Sequence, residues 1–223
     1  MKPGLTAKLV CLARWFSIAA FCLAYALLAH LAAADPSPGL LDAAVALAPL
    51  AALTLALAWR SPHRPWMLLL CVVSAAALYG LGGWLVEHCN WVFLLQHAGM
   101  QALLGLVFGR TLRVGQRPIV SRFAVIVHGP LSPALVRYTR QVTWAWTLYF
   151  SAMTGVSLLL FWLAPVATWS VFANLLNLPL LLLMFTAEYM ARLRLLAPSD
   201  RVGPLEAIRA YRQASSVWLP PSS

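Results

Sequence analysis

The chain has 223 residues, of which 62% are hydrophobic and only 10% are charged, and its mean hydropathy is +0.79. Soluble domains carry about 25% charged residues, so this composition excludes an ordinary soluble protein. A net charge of +10 would point to nucleic acid in a soluble chain, but here the cations are sorted as in a membrane protein. We therefore exclude nucleic acid as a partner.

Apolar stretches of about 20 residues recur along the chain, which is the length a helix needs to cross a hydrocarbon core of about 30 Å. The sequence predicts an all-α integral membrane protein, a single membrane domain over 1–223 with six transmembrane helices. The predicted spans are Trp15–Ala34, Leu40–Trp59, Trp66–Val86, Trp91–Gly109, Val142–Leu163 and Trp169–Met190.

Basic residues set the predicted orientation, because cytoplasmic flanks retain Lys and Arg whereas translocated loops do not. All sixteen lie before span one, between spans two and three, between spans four and five, or after span six. The opposite loops carry only the acidic Asp35, Asp42 and Glu87. Both termini are therefore expected in the cytoplasm. The first 34 residues resemble a secretion signal, but their apolar run is too long for a signal core, so we predict an uncleaved anchor.

Spans one to three are Ala/Leu-rich, and Gly80, Gly82 and Gly83 in the third would permit close helix contact. Spans four to six each carry a polar stripe at helical spacing. Because such groups need partners in hydrocarbon, we expect the three stripes to meet. The stripes are His97, Gln101, Gly105 and Gly109; Thr143, Thr147, Ser151 and Gly155; and Ser170, Asn174, Asn177 and Glu188.

Two interpretations of the stripes remain open. In the first they are contacts between helices, with Gly105 and Gly109 as a close-packing pair. In the second they line a polar cavity, and His97, Asn174 and Asn177 are candidate catalytic residues, since ionisable groups inside spans are costly and often functional. Glu188 lies one turn from Arg192, which predicts an ion pair. Neither the His nor the Cys residues have metal-ligand spacing, so we predict no metal and no cofactor.

The segment 110–141 is the only long loop, and it is strongly basic. Its run Phe123–Val127 is too short to cross a membrane and predicts an interfacial helix or a re-entrant segment, which His128 and Gly129-Pro130 would end. His128 is a candidate general base. Ser132 and Pro133 predict the start of a helix that continues into span five. In the tail, 191–223, Pro204 predicts a short helix.

The basic loop is either a product of the positive-inside rule alone or a docking surface. An anionic partner would be lipid headgroups, a phosphorylated lipid substrate or an acidic acyl carrier protein. The candidate binding residues are Arg110, Arg113, Arg122, Arg137 and Arg140.

Several segments resemble a family of bacterial inner-membrane proteins whose genes accompany fatty-acid-synthase-like sets for aryl polyene pigments. The resemblance covers roughly residues 91–212. The segments that carry it are Gln96-His97-Ala-Gly-Met100, Phe108-Gly-Arg-Thr-Leu112, His128-Gly-Pro-Leu-Ser-Pro133, Tyr138-Thr-Arg-Gln-Val-Thr-Trp-Ala-Trp-Thr147, Phe172-Ala-Asn-Leu-Leu-Asn-Leu-Pro-Leu180 and Met184-Phe-Thr-Ala-Glu-Tyr189.

This resemblance implies a multi-pass protein of the bacterial cytoplasmic membrane in a pathway whose intermediates ride on acyl carrier proteins. Some members are labelled ketosynthase, but none of the Cys residues here has the setting of a ketosynthase nucleophile. Our first hypothesis is an accessory protein that anchors the synthase or its carrier, or hands the product to the membrane. The alternatives are a membrane enzyme acting on an acyl or lipid-linked substrate and a lipid transporter.

Overall fold

The computed structural model describes the backbone of residues 5–196 and their side chains, except those of 5–8, 11, 127 and 128. Within that range the regular secondary structure is all helical, with no strand. Nine α-helices and one π-helix follow one another: α1 Leu5–Ala34, α2 Leu40–Arg60, α3 Arg64–Gly80, α4 Gly82–Glu87, α5 Cys89–Arg110, α6 Ile119–His128, α7 Pro133–Leu163, α8 Val166–Ser170, the π-helix Val171–Leu176 and α9 Asn177–Leu195.

The protein is a membrane-embedded, all-α protein. Large apolar side chains cover its surface, among them Phe16, 77% exposed, and Leu41 and Leu163, each 81% exposed. Such a surface is expected where the surrounding solvent is lipid. Five described helical segments are long and apolar enough to cross a membrane: Leu12–Ala34, Leu40–Arg60, Cys89–Arg110, Pro133–Leu163 and Val166–Leu195.

The predicted third span is not one continuous helix. It is divided at Leu81 into α3 and α4, and α3 alone has 17 residues, which give a length of about 25 Å. Glycine is a poor helix former, and three glycines surround the break. An added Cβ at Gly80 or Gly83 would meet nothing within 4 Å. The close helix contact expected at these two glycines is therefore not made by the described residues.

Local signals explain where the other helices begin and end. The carboxylate of Asp42 accepts a hydrogen bond of 2.7 Å from the backbone N–H of Gly39 at the start of α2. The Ser132 hydroxyl accepts one of 3.2 Å from the N–H of Leu135, and Pro133 is the first residue of α7, as predicted. The predicted helix around Phe123 lies within α6, which ends at His128 and is followed by Gly129 with φ of 70°. The helix predicted after Pro204 lies outside the described residues.

The chain divides into two compact units. Unit 1 is 1–97 with 157–178, and unit 2 is 98–156 with 179–223. In unit 1, α1 packs against α2, α8 and the π-helix, and α2 packs against α3. Alanine side chains allow the helix backbones to approach closely. The buried alanines of unit 1 are Ala29, Ala32, Ala33, Ala43, Ala46, Ala58 and Ala173.

Unit 2 is built around aromatic side chains instead. The indole of Trp146 on α7 lies 4.7 Å from the ring of Phe185 and 5.4 Å from that of Phe150, centroid to centroid. Tyr138 and Val142 on the same helix belong to this buried cluster. Edge-on and tilted ring pairs of this kind stabilise a core beyond the area they bury.

The expected close packing at Gly105 and Gly109 is confirmed within unit 2. A Cβ added at Gly109 would lie 3.3 Å from Cγ2 of Thr147, and one at Gly105 would lie 3.5 Å from Cβ of Phe150. At Gly155 on α7, by contrast, an added Cβ would meet nothing within 4 Å.

We therefore expect Gly109→Val to lower the thermal midpoint of the detergent-purified protein, because the new methyl groups would force α5 and α7 apart at a cost of about 1–3 kcal/mol. Gly155→Val makes the same chemical change where there is space and should shift the midpoint much less. Equal midpoints for the two variants, measured by dye-monitored unfolding, would contradict the close contact at Gly109.

Candidate functional site

The first candidate site is a cluster of polar side chains around His97 in unit 1. The His97 ring on α5 lies 3.0 Å, Nδ1 to Oγ, from Ser157 on α7. The Nε1–H of Trp169 on α8 donates to the same Ser157 oxygen, also at 3.0 Å. The side chain of Asn177 makes a further polar contact with the imidazole. The structure therefore joins His97 and Asn177, two of the predicted site residues.

A second polar cluster surrounds Ser170, where α8 passes into the π-helix. Nδ1 of His30 lies 2.9 Å from the Ser170 hydroxyl oxygen, and the amide Nδ2 of Asn174 donates to that oxygen at 3.1 Å. The hydroxyl in turn reaches the backbone carbonyl of His30 at 3.2 Å. The predicted candidate Asn174 therefore bonds to Ser170, one turn before it, and is linked to His30 only through this hydroxyl. A π-helix often marks a functional segment, because its extra residue re-aims the neighbouring side chains.

The histidine clusters have the geometry of structural networks. Ser157, Ser170 and Trp169 have no exposed surface, so neither hydroxyl can reach a substrate. An indole N–H only donates, and Ser157 therefore accepts from Trp169 and completes its bonding with His97. Groups of three or more potential metal ligands do not occur among the described residues. This arrangement holds helices together through buried hydrogen bonds between side chains.

We expected the polar side chains on span five to bond to those on other helices, but two of its threonines bond within their own helix. The hydroxyl of Thr143 donates to the carbonyl of Thr139 at 2.8 Å, and that of Thr147 donates to the carbonyl of Thr143 at 2.8 Å. These bonds lie within α7, so the threonines need no partner on another helix. The residue that reaches His97 is Ser157, which lies outside the predicted stripe.

Basic side chains dominate the charged groups of unit 2. Every residue of the predicted binding set is exposed. The described part of unit 2 contains eight Arg and one acidic residue, Glu188. Glu188 is already paired, since its carboxylate accepts a hydrogen bond of 2.7 Å from Arg192, as predicted, and one of 3.0 Å from the Tyr138 hydroxyl. We call the exposed arginines of α5, α6, α7 and their connections the arginine surface: Arg110, Arg113, Arg117, Arg122, Arg137 and Arg140.

Helix α6 is attached to α7 by a buried hydroxyl pair. The oxygens of Ser121 and Thr139 lie 2.6 Å apart, and both side chains are buried. The Thr111 hydroxyl accepts the backbone N–H of Ile119 at 3.1 Å and so ties the first turn of α6 to the end of α5. These bonds hold α6 in a defined position, although it follows a loop.

A cleft lies between α6 and the first turns of α7. It has a volume of about 650 Å³, within the range of small-molecule sites. We call it the α6 cleft. Its rim is polar and its wall is apolar. The rim carries Gln116, Arg117 and Arg140, and the wall carries Val125, Leu131 and Val136.

The guanidinium groups around the cleft are held by neutral partners. Arg122 donates to the backbone carbonyl of Arg117 at 3.0 Å and to the Gln116 side chain at 3.2 Å. Arg140 donates to the carbonyl of Leu112 at 3.2 Å. Within residues 5–196 none of these arginines forms an ion pair, so their positive charge is open to an external anion.

Sequence reasoning identified Arg110, Arg113, Arg122, Arg137 and Arg140, but it did not predict the α6 cleft, which Arg140 lines. Ser121 and Thr139 are 18 residues apart, and no spacing rule predicts their contact. Arg110 and Arg113 line a separate groove of about 640 Å³ together with Gly105, Thr147 and Gly155. The side chain of His128 lies outside the described residues. Comparison with protein families, with curated proteins and with solved structures found no match for this chain.

The Ser157 network yields a stability test. Ser157→Ala should lower the thermal midpoint, because Trp169 and His97 would lose a buried partner, at about 1–3 kcal/mol for each unsatisfied group. Ser17→Ala is the matched control, since the exposed Ser17 hydroxyl bonds only to the Ala13 carbonyl of its own helix. If unfolding monitored by intrinsic fluorescence gave the same midpoint for both variants, the network would not contribute to stability.

Proposed function

We propose that this chain is a six-span protein of the bacterial cytoplasmic membrane with both termini in the cytoplasm. In this topology α3 and α4 together form the third span, and the arginine surface lies on the cytoplasmic side. The support is the distribution of cations: Arg60 ends α2, Arg64 begins α3 and Arg110 ends α5. The loops on the other side contain no basic residue.

The proposed role is that of an accessory component in the biosynthesis of an acyl or aryl polyene lipid. The arginine surface would recruit an acidic acyl carrier protein, or the synthase that uses it, to the membrane. The observation that carries the proposal is the excess of eight Arg over one already paired Glu in the described part of unit 2. Complementary charge of this kind steers an acidic partner and raises its association rate.

The choice of pathway rests on the resemblance of residues 91–212 to a family whose genes accompany carrier-dependent synthases. An accessory role is favoured over an enzymatic one by the burial of Ser157 and Ser170, the hydroxyls that contact His97 and His30. A nucleophile or general base has to contact its substrate. The arginine surface, by contrast, is exposed and accessible to a partner protein.

Charge reversal tests the recruitment. Arg113→Glu with Arg137→Glu changes two exposed residues whose side chains make no hydrogen bond to the described residues. We expect the retention of the detergent-purified protein on immobilised acyl carrier protein to fall by about tenfold at low salt, and wild-type retention to fall as salt screens the charges.

The matched control is Arg14→Glu with Arg60→Glu, which makes the same charge change at two exposed residues of unit 1. It should leave retention near the wild-type value. The proposal fails if the wild type is not retained at low salt, or if both double variants lose retention equally.

Reporter fusions test the topology. Alkaline phosphatase fused after Ser37 or His88 should be active, because both points lie on the translocated side, whereas fusion after Ser61 should be inactive. Green fluorescent protein should give the opposite pattern. Inactive phosphatase after His88 would mean that α3 and α4 do not cross the membrane, and the six-span proposal would be wrong.

A further inference from the structure

The α6 cleft joins two features that an amphiphile with an anionic head requires. Its rim carries Arg117 and Arg140, and its wall is formed by Val125, Leu131 and Val136. Guanidinium forks match phosphate oxygens in geometry as well as charge. An apolar wall directly beside them offers a place for a hydrocarbon chain, which loses contact with water when it lies there.

Among residues 5–196, the positive rim of the cleft has no counter-ion. Arg117 makes no side-chain hydrogen bond or ion pair with residues 5–196, and Arg140 bonds only to the backbone carbonyl of Leu112. The nearby Ser121 hydroxyl is already used by Thr139. An anion at the rim would therefore meet two guanidinium groups that are available to it.

The exposed face of α6 indicates where the cleft opens. Phe123 is 53% exposed and Ile126 is 43% exposed on this helix, beside the exposed Arg122, and Val114 in the preceding turn is fully exposed. Apolar and basic side chains on one short helix are typical of a helix that lies in the headgroup region of a membrane. The molecules that surround such a helix are phospholipids.

We propose that the α6 cleft binds one anionic phospholipid, with its phosphate at Arg117 and Arg140 and one acyl chain along Val125, Leu131 and Val136. This inference rests on the proposed function only in placing α6 at the cytoplasmic membrane surface. It does not require that a carrier protein binds. Bound lipid would fill the cleft between α6 and α7 and would place a phospholipid headgroup beside the arginine surface.

Native mass spectrometry of the delipidated, detergent-purified protein tests the site. Titration with dioleoyl phosphatidylglycerol should give one retained lipid, whereas zwitterionic dioleoyl phosphatidylethanolamine should bind more weakly. Arg117→Gln should weaken phosphatidylglycerol binding by about fivefold, as expected for one basic residue at a lipid headgroup. Val136→Trp should abolish phosphatidylglycerol binding, because the indole would occupy the space along the apolar wall.

Val156→Trp is the matched control, because Val156 lies on the same helix, is 41% exposed like Val136 at 45%, and does not line the cleft. It should bind phosphatidylglycerol as the wild type does. Val136 does not belong to the arginine surface, so Val136→Trp should retain carrier protein normally. Loss of lipid with normal carrier retention would separate this site from the proposed function.

Three results would overturn the inference. Equal binding of the two lipids would show that the arginines do not select an anionic headgroup. Wild-type phosphatidylglycerol binding by both Arg117→Gln and Val136→Trp would remove the cleft as the site. Displacement of phosphatidylglycerol by an equal or lower concentration of hexadecanoyl phosphopantetheine would identify a carrier-linked chain as the occupant instead.

Discussion

Hydrocarbon offers no hydrogen bonds, and the protein has to satisfy its buried polar groups with its own atoms. Helix α7 does so in two ways. Thr143 and Thr147 bond to carbonyls one turn back on the same helix. Ser157 instead contacts His97 and Trp169, which belong to other helices. Hydrogen bonds of the first kind leave the helix independent of its neighbours, whereas those of the second kind determine which helices pack against each other.

The same constraint explains why unit 2 presents its charge to the outside. Charged groups are costly to bury unless they are paired, and the described part of unit 2 has a single carboxylate, which Arg192 already occupies. The remaining arginines therefore lie at the surface, where carbonyls and the Gln116 side chain hold some of them. The buried Ser121 and Thr139 pair places α6 among them and so creates the cleft.

The sequence predicted the features that depend on neighbouring residues. The apolar run predicted as Leu40–Trp59 became Leu40–Arg60, and Ser132 with Pro133 began α7 as expected. It did not predict contacts between distant residues. The partner of His97 is 60 residues away and lies outside the stripe that periodicity selected. The break at Leu81 was missed because the apolar run continues through the three glycines that surround it, and no spacing rule predicts the π-helix.

The arginine surface contains no lysine, since the two lysines of the chain are Lys2 and Lys8. A guanidinium stays protonated at any physiological pH and is a very weak nucleophile, whereas a lysine amine is a common target of acylation. In the proposed role beside carrier-bound thioesters, lysines would lose their charge slowly by acyl transfer to the amine. A surface made of arginine is chemically inert to that reaction, so its charge would persist for the lifetime of the protein.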